Sequence, residues 1–175
     1  DLLALSAASL SVTSGGAVTD SGTLAITGAT TISASGQDIT LDEAASTFGT
    51  LALTGSNVAV TENAAMDLGA STIGGTANFN STSNVITDSG TLAITGATTI
   101  NAGTADITLD QVASTLGALA LTGANVAVTE NAATDLAAST VSGTLGVTST
   151  GAVTDSGTLA ITGATTISAS GQDIT

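Results

Sequence analysis

The chain has 175 residues, of which fourteen are acidic and none is Lys, Arg or His, for a formal net charge of −14. Nucleic-acid affinity comes mainly from neutralisation of phosphates by basic side chains, so neither nucleic acid nor an anionic membrane surface is an expected partner. Cys, Trp, Tyr and Pro are absent and the only aromatics are Phe48 and Phe79. That excludes an ordinary globule with an aromatic centre, while 42% hydrophobic content and a mean hydropathy of +0.51 argue against a disordered linker. No apolar run approaches the roughly eighteen residues of a membrane helix.

The segment Gly16 to Thr40 returns letter for letter as Gly151 to Thr175, and a near copy, DSGTLAITGATTI, runs from Asp88 to Ile100. The three Asp residues that anchor these copies, Asp20, Asp88 and Asp155, stand 68 and then 67 residues apart. The chain therefore reads as one repeat array over 1–175, with units at about 10–74, 75–142 and a partial 143–175. Asp1-Leu2 matches Asp67-Leu68 and Thr175 stops within a unit, so both ends read as cuts in a longer array.

From the amino terminus onward the local pattern has period two. Leu24-Ala25-Ile26-Thr27, Leu51-Ala52-Leu53-Thr54 and Val58-Ala59-Val60-Thr61 alternate apolar and small or polar residues between Gly, Asn, Asp or Ser. Such runs predict half-buried strands, and no stretch keeps a helical period. Nine runs per repeat divide into three coils of three strands, which predicts an all-β parallel β-helix, or β-solenoid. Cutting at the Gly after each third strand gives coils 10–28, 29–55, 56–74, 75–96, 97–123, 124–142 and 143–163, about 19 to 27 residues each.

In that alignment Val12, Ile32, Val60, Phe79, Ile100, Val128, Val147 and Ile167 form one inward column. Val18, Ile39, Leu68, Val85, Ile107, Leu136, Val153 and Ile174 form a second, and Ile26, Leu53, Ile73, Ile94, Leu121, Val141 and Ile161 a third. The two long coils owe their length to Asp42–Phe48 and Asp110–Leu116, which read as a solvated loop tucked down by Phe48 or Leu116 and repeated on one face every third layer, with a binding feature as the alternative.

The succession LSVTSGGAVTDSGTLAITGATTI from Leu10 to Ile32, with DITLD at Asp38–Asp42 and Asp106–Asp110, resembles the repeats of filamentous-haemagglutinin-like bacterial adhesins. The resemblance implies a right-handed parallel β-helical rod, large and exported, at or beyond a bacterial cell surface. The function expected on that basis is structural: an extracellular segment giving reach, rigidity and self-association. The alternative is a ligand-binding solenoid that presents an outward Thr/Ser/Asn face to carbohydrate or ice, with Thr13, Ser33, Thr61, Asn80, Asn101, Thr129 and Thr148 as its column.

No enzymatic activity is expected, since a nucleophilic Ser needs a basic partner and His and Lys are absent. Lateral association is expected through the small outward residues Ala25, Thr27, Ala52, Thr54, Ala93, Thr95, Ala120 and Thr122, and end-to-end association through unpaired terminal edges. The coil alignment also sets Asp38 one layer from Asp67 and Asp106 one layer from Asp135, roughly 4.8 Å apart. Paired carboxylates at that spacing repel or recruit a cation, so weak Ca²⁺ binding is the one cofactor expectation.

Overall fold

The computed structural model describes all 175 residues and contains 23 strands and no helix. Every strand pair is parallel, and each strand stacks on one from an adjacent turn of the chain. The protein is a parallel β-solenoid, with an eleven-stranded sheet, a ten-stranded sheet and a two-stranded sheet wrapped about one axis. The strands alternate as the period-two pattern requires: Leu24, Ile26, Ile32, Ile39, Leu41, Leu51 and Leu53 face inward and are almost fully buried. One hydrophobic cluster runs without a break from Val18 to Ala169, so no turn has a core of its own. β-Branched and Leu side chains suit this narrow centre because each layer repeats the pleat of the layer beneath it.

The coil lengths and the stacking differ from the sequence expectation. Ile32 lies beside Leu53 instead of Val60, and Ile100 beside Leu121 instead of Val128. Val60 stacks between Leu41 and Phe79. A turn takes between 17 residues, from Leu51 to Leu68, and 22, from Ala25 to Thr47. Residues 29–55 hold four sides of the solenoid, because Thr47 bridges to Ala25 and makes a side where a loop was expected. Thr115 bridges to Ala93 in the same way.

The physical device that absorbs the fourth side is a strand that forks. Thr50–Gly55 pairs through its first half with Met66–Leu68 and through its second half with Ser71–Ile73. The corner at Gly69-Ala70 falls over its middle. Leu119–Gly123 forks likewise, onto Thr134–Leu136 and Ser139–Val141. One straight side thus becomes two in the next turn, while the side at Thr47 closes into a corner.

A consequence is visible in the placement of the copies. Leu10–Thr13 lies in the eleven-stranded sheet, its copy Ala77–Asn80 in the ten-stranded sheet, and the third copy Leu145–Ser149 in the eleven-stranded sheet again. Seven turns of one sheet separate the first copy from the third, so one repeat makes three and a half turns. Successive repeats are set about half a rotation apart.

Val85, expected inward, is 43% exposed, and Ile86 takes the core position in register with Met66 and Ile107. The middle copy has one residue more than the others between its inward Phe79 and the next strand. The turn there places Thr82 and Ser83 at φ values of 45° and 72°, which accommodates the extra residue and shifts the alternation by one.

Candidate functional site

The structure does not bring the four expected cation ligands together. Asp38 precedes the strand Ile39–Leu41 of the ten-stranded sheet, whereas Asp67 lies in Met66–Leu68 of the eleven-stranded sheet, next to Thr50 and Thr87. Asp38 Oδ1 accepts hydrogen bonds from the main-chain N and Nδ2 of Asn57, both at 3.0 Å, and Asn57 Oδ1 accepts from Thr76 in the following turn. Asp106, Asn125 and Thr144 repeat this ladder. Asp67 Oδ2 accepts from the Thr50 and Ser89 hydroxyls, each at 2.8 Å, and Asp135 Oδ2 from the Ser156 hydroxyl at 2.8 Å. The stacking that set Asp38 over Asp67 and Asp106 over Asp135 required a three-sided long coil, and that coil has four sides.

The residues expected to form a lateral strip are also distributed. Ala25 and Thr27 belong to the two-stranded sheet and its flank, Ala52, Thr54 and Ala93 to the eleven-stranded sheet with Thr95 just beyond it, and Ala120 and Thr122 to the ten-stranded sheet. Half a rotation per repeat sends equivalent small residues to different sides. The outward Thr and Asn residues divide in the same manner. On the eleven-stranded sheet, Thr129, Thr148 and Ser168 stand in register beside the small Ala127 and Gly146. They line a shallow groove of about 170 Å³ bordered by Asp110 and Thr166. At the equivalent place on the other sheet, Asn78 and Asn80 occupy the positions of Gly146 and Thr148.

Sequence reasoning missed a second constellation, built around the segments Asp42–Phe48 and Asp110–Leu116. Each is held from three directions. Below, Asp20 Oδ1 accepts the Asp42 amide at 2.9 Å, and Asp88 Oδ1 accepts the Asp110 amide at 2.8 Å. Within the segment, Ser46 Oγ accepts the Leu24 amide and Ser114 Oγ the Leu92 amide, both at 3.0 Å. Above, Glu62 Oε2 accepts the Phe48 amide and Glu130 Oε1 the Leu116 amide, both at 2.7 Å.

The two glutamates are 0% and 1% exposed, so each carboxyl works inside the solenoid and opens onto no surface where a ligand could meet it. Glu130 Oε2 has a second donor in the Thr134 hydroxyl at 2.8 Å. Met66 stands at that position in the other copy, and Glu62 Oε1 has no partner.

Burial pushes the carboxyls of Asp20, Asp88 and Glu130 above their ordinary values, against the lowering effect of the amides they accept. Burial raises Glu62 to about 8, opposed only by the Phe48 amide. The signal for these residues was present in the alternation: Val58, Val60 and Glu62 are successive inward positions, as are Val18 and Asp20. An acid in an inward slot must be a hydrogen-bonded interior group.

The fold and these interior clamps define a repetitive β-solenoid whose polar groups serve the stacking of one turn on the next. The chain belongs to the family described as Repeats of unknown function (DUF5649), which matches residues 1–54, 55–122 and 123–175 and so covers it throughout. The comparisons found no matching curated protein and no matching solved structure.

Proposed function

We propose that the chain is a structural rod segment of a bacterial extracellular, adhesin-like protein, supplying reach and rigidity at the cell surface. The observation that supports this most is the unbroken core from Val18 to Ala169, in which every turn buries its apolar edge only against its neighbours. A body of that kind gains length with each added repeat and needs no closure. Three and a half turns per repeat correspond to about 17 Å of rod at the 4.8 Å strand spacing. Adding one 67-residue unit should therefore lengthen the particle by that amount at constant cross-section in solution scattering, whereas a particle growing in all dimensions contradicts a rod. Antibody labelling of intact source cells tests the location: surface signal supports it and signal only after lysis contradicts it.

Self-association follows the same geometry. Small outward residues lie on opposite sides in successive repeats, so a rod has two sides available to neighbours. A second reading, carbohydrate binding, is favoured by the hydroxyl-lined groove at Ala127 and Gly146. Glycan-array binding that is lost on Gly146→Asn, which copies the filled counterpart at Asn78, would support it over a purely structural role.

A further inference from the structure

We propose that Glu62 is an alkaline-sensitive latch: loss of its proton opens the segment Asp42–Phe48 while the equivalent segment Asp110–Leu116 stays shut. Two copies of one arrangement differ at this point. Both glutamates are sealed in the interior and both hold an aromatic or aliphatic residue in place by its amide, Phe48 at 4% exposure and Leu116 at 6%. Glu130 has two donors, one for each oxygen. Glu62 has one, because Met66 replaces the hydroxyl of Thr134, and its Oε1 is left without a partner.

A neutral carboxyl at Glu62 satisfies the Phe48 amide through its carbonyl oxygen. A carboxylate there spreads its charge over two buried oxygens, of which only one, the acceptor of the Phe48 amide, has a donor to receive it. The titratable groups on the elements packed around it are Asp42 and Glu43 on the segment itself and Asp67 on the following strand. All are acidic, and Asp67 is turned to Thr50 and Ser89, so no countercharge is at hand. The chain has no Lys, Arg or His to supply one. Relief comes from water, and the shortest route for water is release of Phe48 and the segment it anchors. Burial, opposed by the Phe48 amide, raises the carboxyl to about 8, which places the transition at mildly alkaline pH. Opening exposes Phe48 and frees Ser46, whose hydroxyl holds the Leu24 amide in the turn beneath.

The test is amide hydrogen exchange on the whole chain, read as protection factors so that the intrinsic base catalysis of exchange is removed. From about pH 6 to about pH 9.5 the Phe48 amide should lose protection at least about tenfold while the Leu116 amide keeps its own. Glu62→Gln should abolish the pH dependence, and Met66→Thr, which restores the missing donor, should keep Phe48 protected at the alkaline end. Thr134→Met should transfer the transition to Leu116. A Phe48 amide equally protected at both pH values overturns the latch. So does a transition that survives in Glu62→Gln, or joint loss of protection at Phe48 and Leu116, which would report general unfolding.

Discussion

At Gly96 the backbones of two turns meet: an added methyl would lie 2.5 Å from the carbonyl oxygen of Gly75, one turn below. No side chain can move aside there, because the obstacle is main chain, and the stacking distance is fixed by the strands on either side. Gly96→Ala is expected to cost roughly 2–3 kcal/mol in urea unfolding. Gly15→Ala, where a methyl meets nothing within 4 Å, should change little. Thr98 presents the opposite case. Its hydroxyl is fully buried with no hydrogen-bond partner, as is that of Thr30 at the same place in the preceding copy. Thr98→Val removes the unsatisfied group at nearly constant shape and should stabilise the protein by roughly 1 kcal/mol in the same measurement.

Inward and outward assignments at this scale were legible where the alternation is unbroken and turns stack on both sides, as for Leu24, Ile26, Ile39 and Leu68, whereas Ile174, assigned inward in the last turn, is 54% exposed. They failed at Val85, where one added residue in a turn exchanges the two faces and nothing in composition says which aliphatic goes inside.

Between residue and molecule stands the segment Asp110–Leu116, which the sequence presents as a solvated loop tucked down by Leu116 and the structure uses as a side of the solenoid. Its Ser114 hydroxyl accepts the buried Leu92 amide from the turn beneath. Ser114→Ala leaves that amide without an acceptor and is expected to cost roughly 1–3 kcal/mol, measurable by urea unfolding. The polar run of Asp110-Gln111 followed by Ala113-Ser114-Thr115 gave no period-two signal, and one bridge from Thr115 to Ala93 is too short to produce one. The fourth side in these turns moves Val60 and Val128 by one side relative to a three-sided coil. A three-sided coil also creates the apparent Asp38–Asp67 pair. The glutamates that close these segments were readable as acids in inward slots, but their partners, 14 residues earlier in each copy, become visible only when the extra side is known.

For the whole molecule, the four displaced carboxyls all move in the same direction. Asp20, Glu62, Asp88 and Glu130 bind their protons more tightly in the folded chain than when unfolded. Stability from such groups is complete below their unfolded values and is lost as pH rises through the folded ones, for Glu62 between its ordinary 4.5 and about 8. Protonation also relieves the self-repulsion of a chain with a net charge of −14. The melting temperature should therefore be higher at about pH 5 than at about pH 8.5, the reverse of ordinary acid denaturation; a lower value at pH 5 would contradict the interior placement of these acids.

The solenoid class was legible because repetition and alternation are both properties of the sequence. The half rotation between repeats was not, since it depends on forked strands whose pairing choices are made in three dimensions.

Cysteine pairs report that half rotation cleanly in a chain with no cysteine of its own. Thr99 and Ala120 face each other in adjacent turns of the ten-stranded sheet, within the Cα separation a disulfide spans, whereas Ala127 belongs to the eleven-stranded sheet beside Thr108 and Gly146. Mild oxidation should join Thr99→Cys to Ala120→Cys rapidly within one chain and leave Thr99→Cys with Ala127→Cys unjoined. Efficient closure of the second pair, with none in the first, would restore three turns per repeat and contradict the alternation of copies between the two sheets.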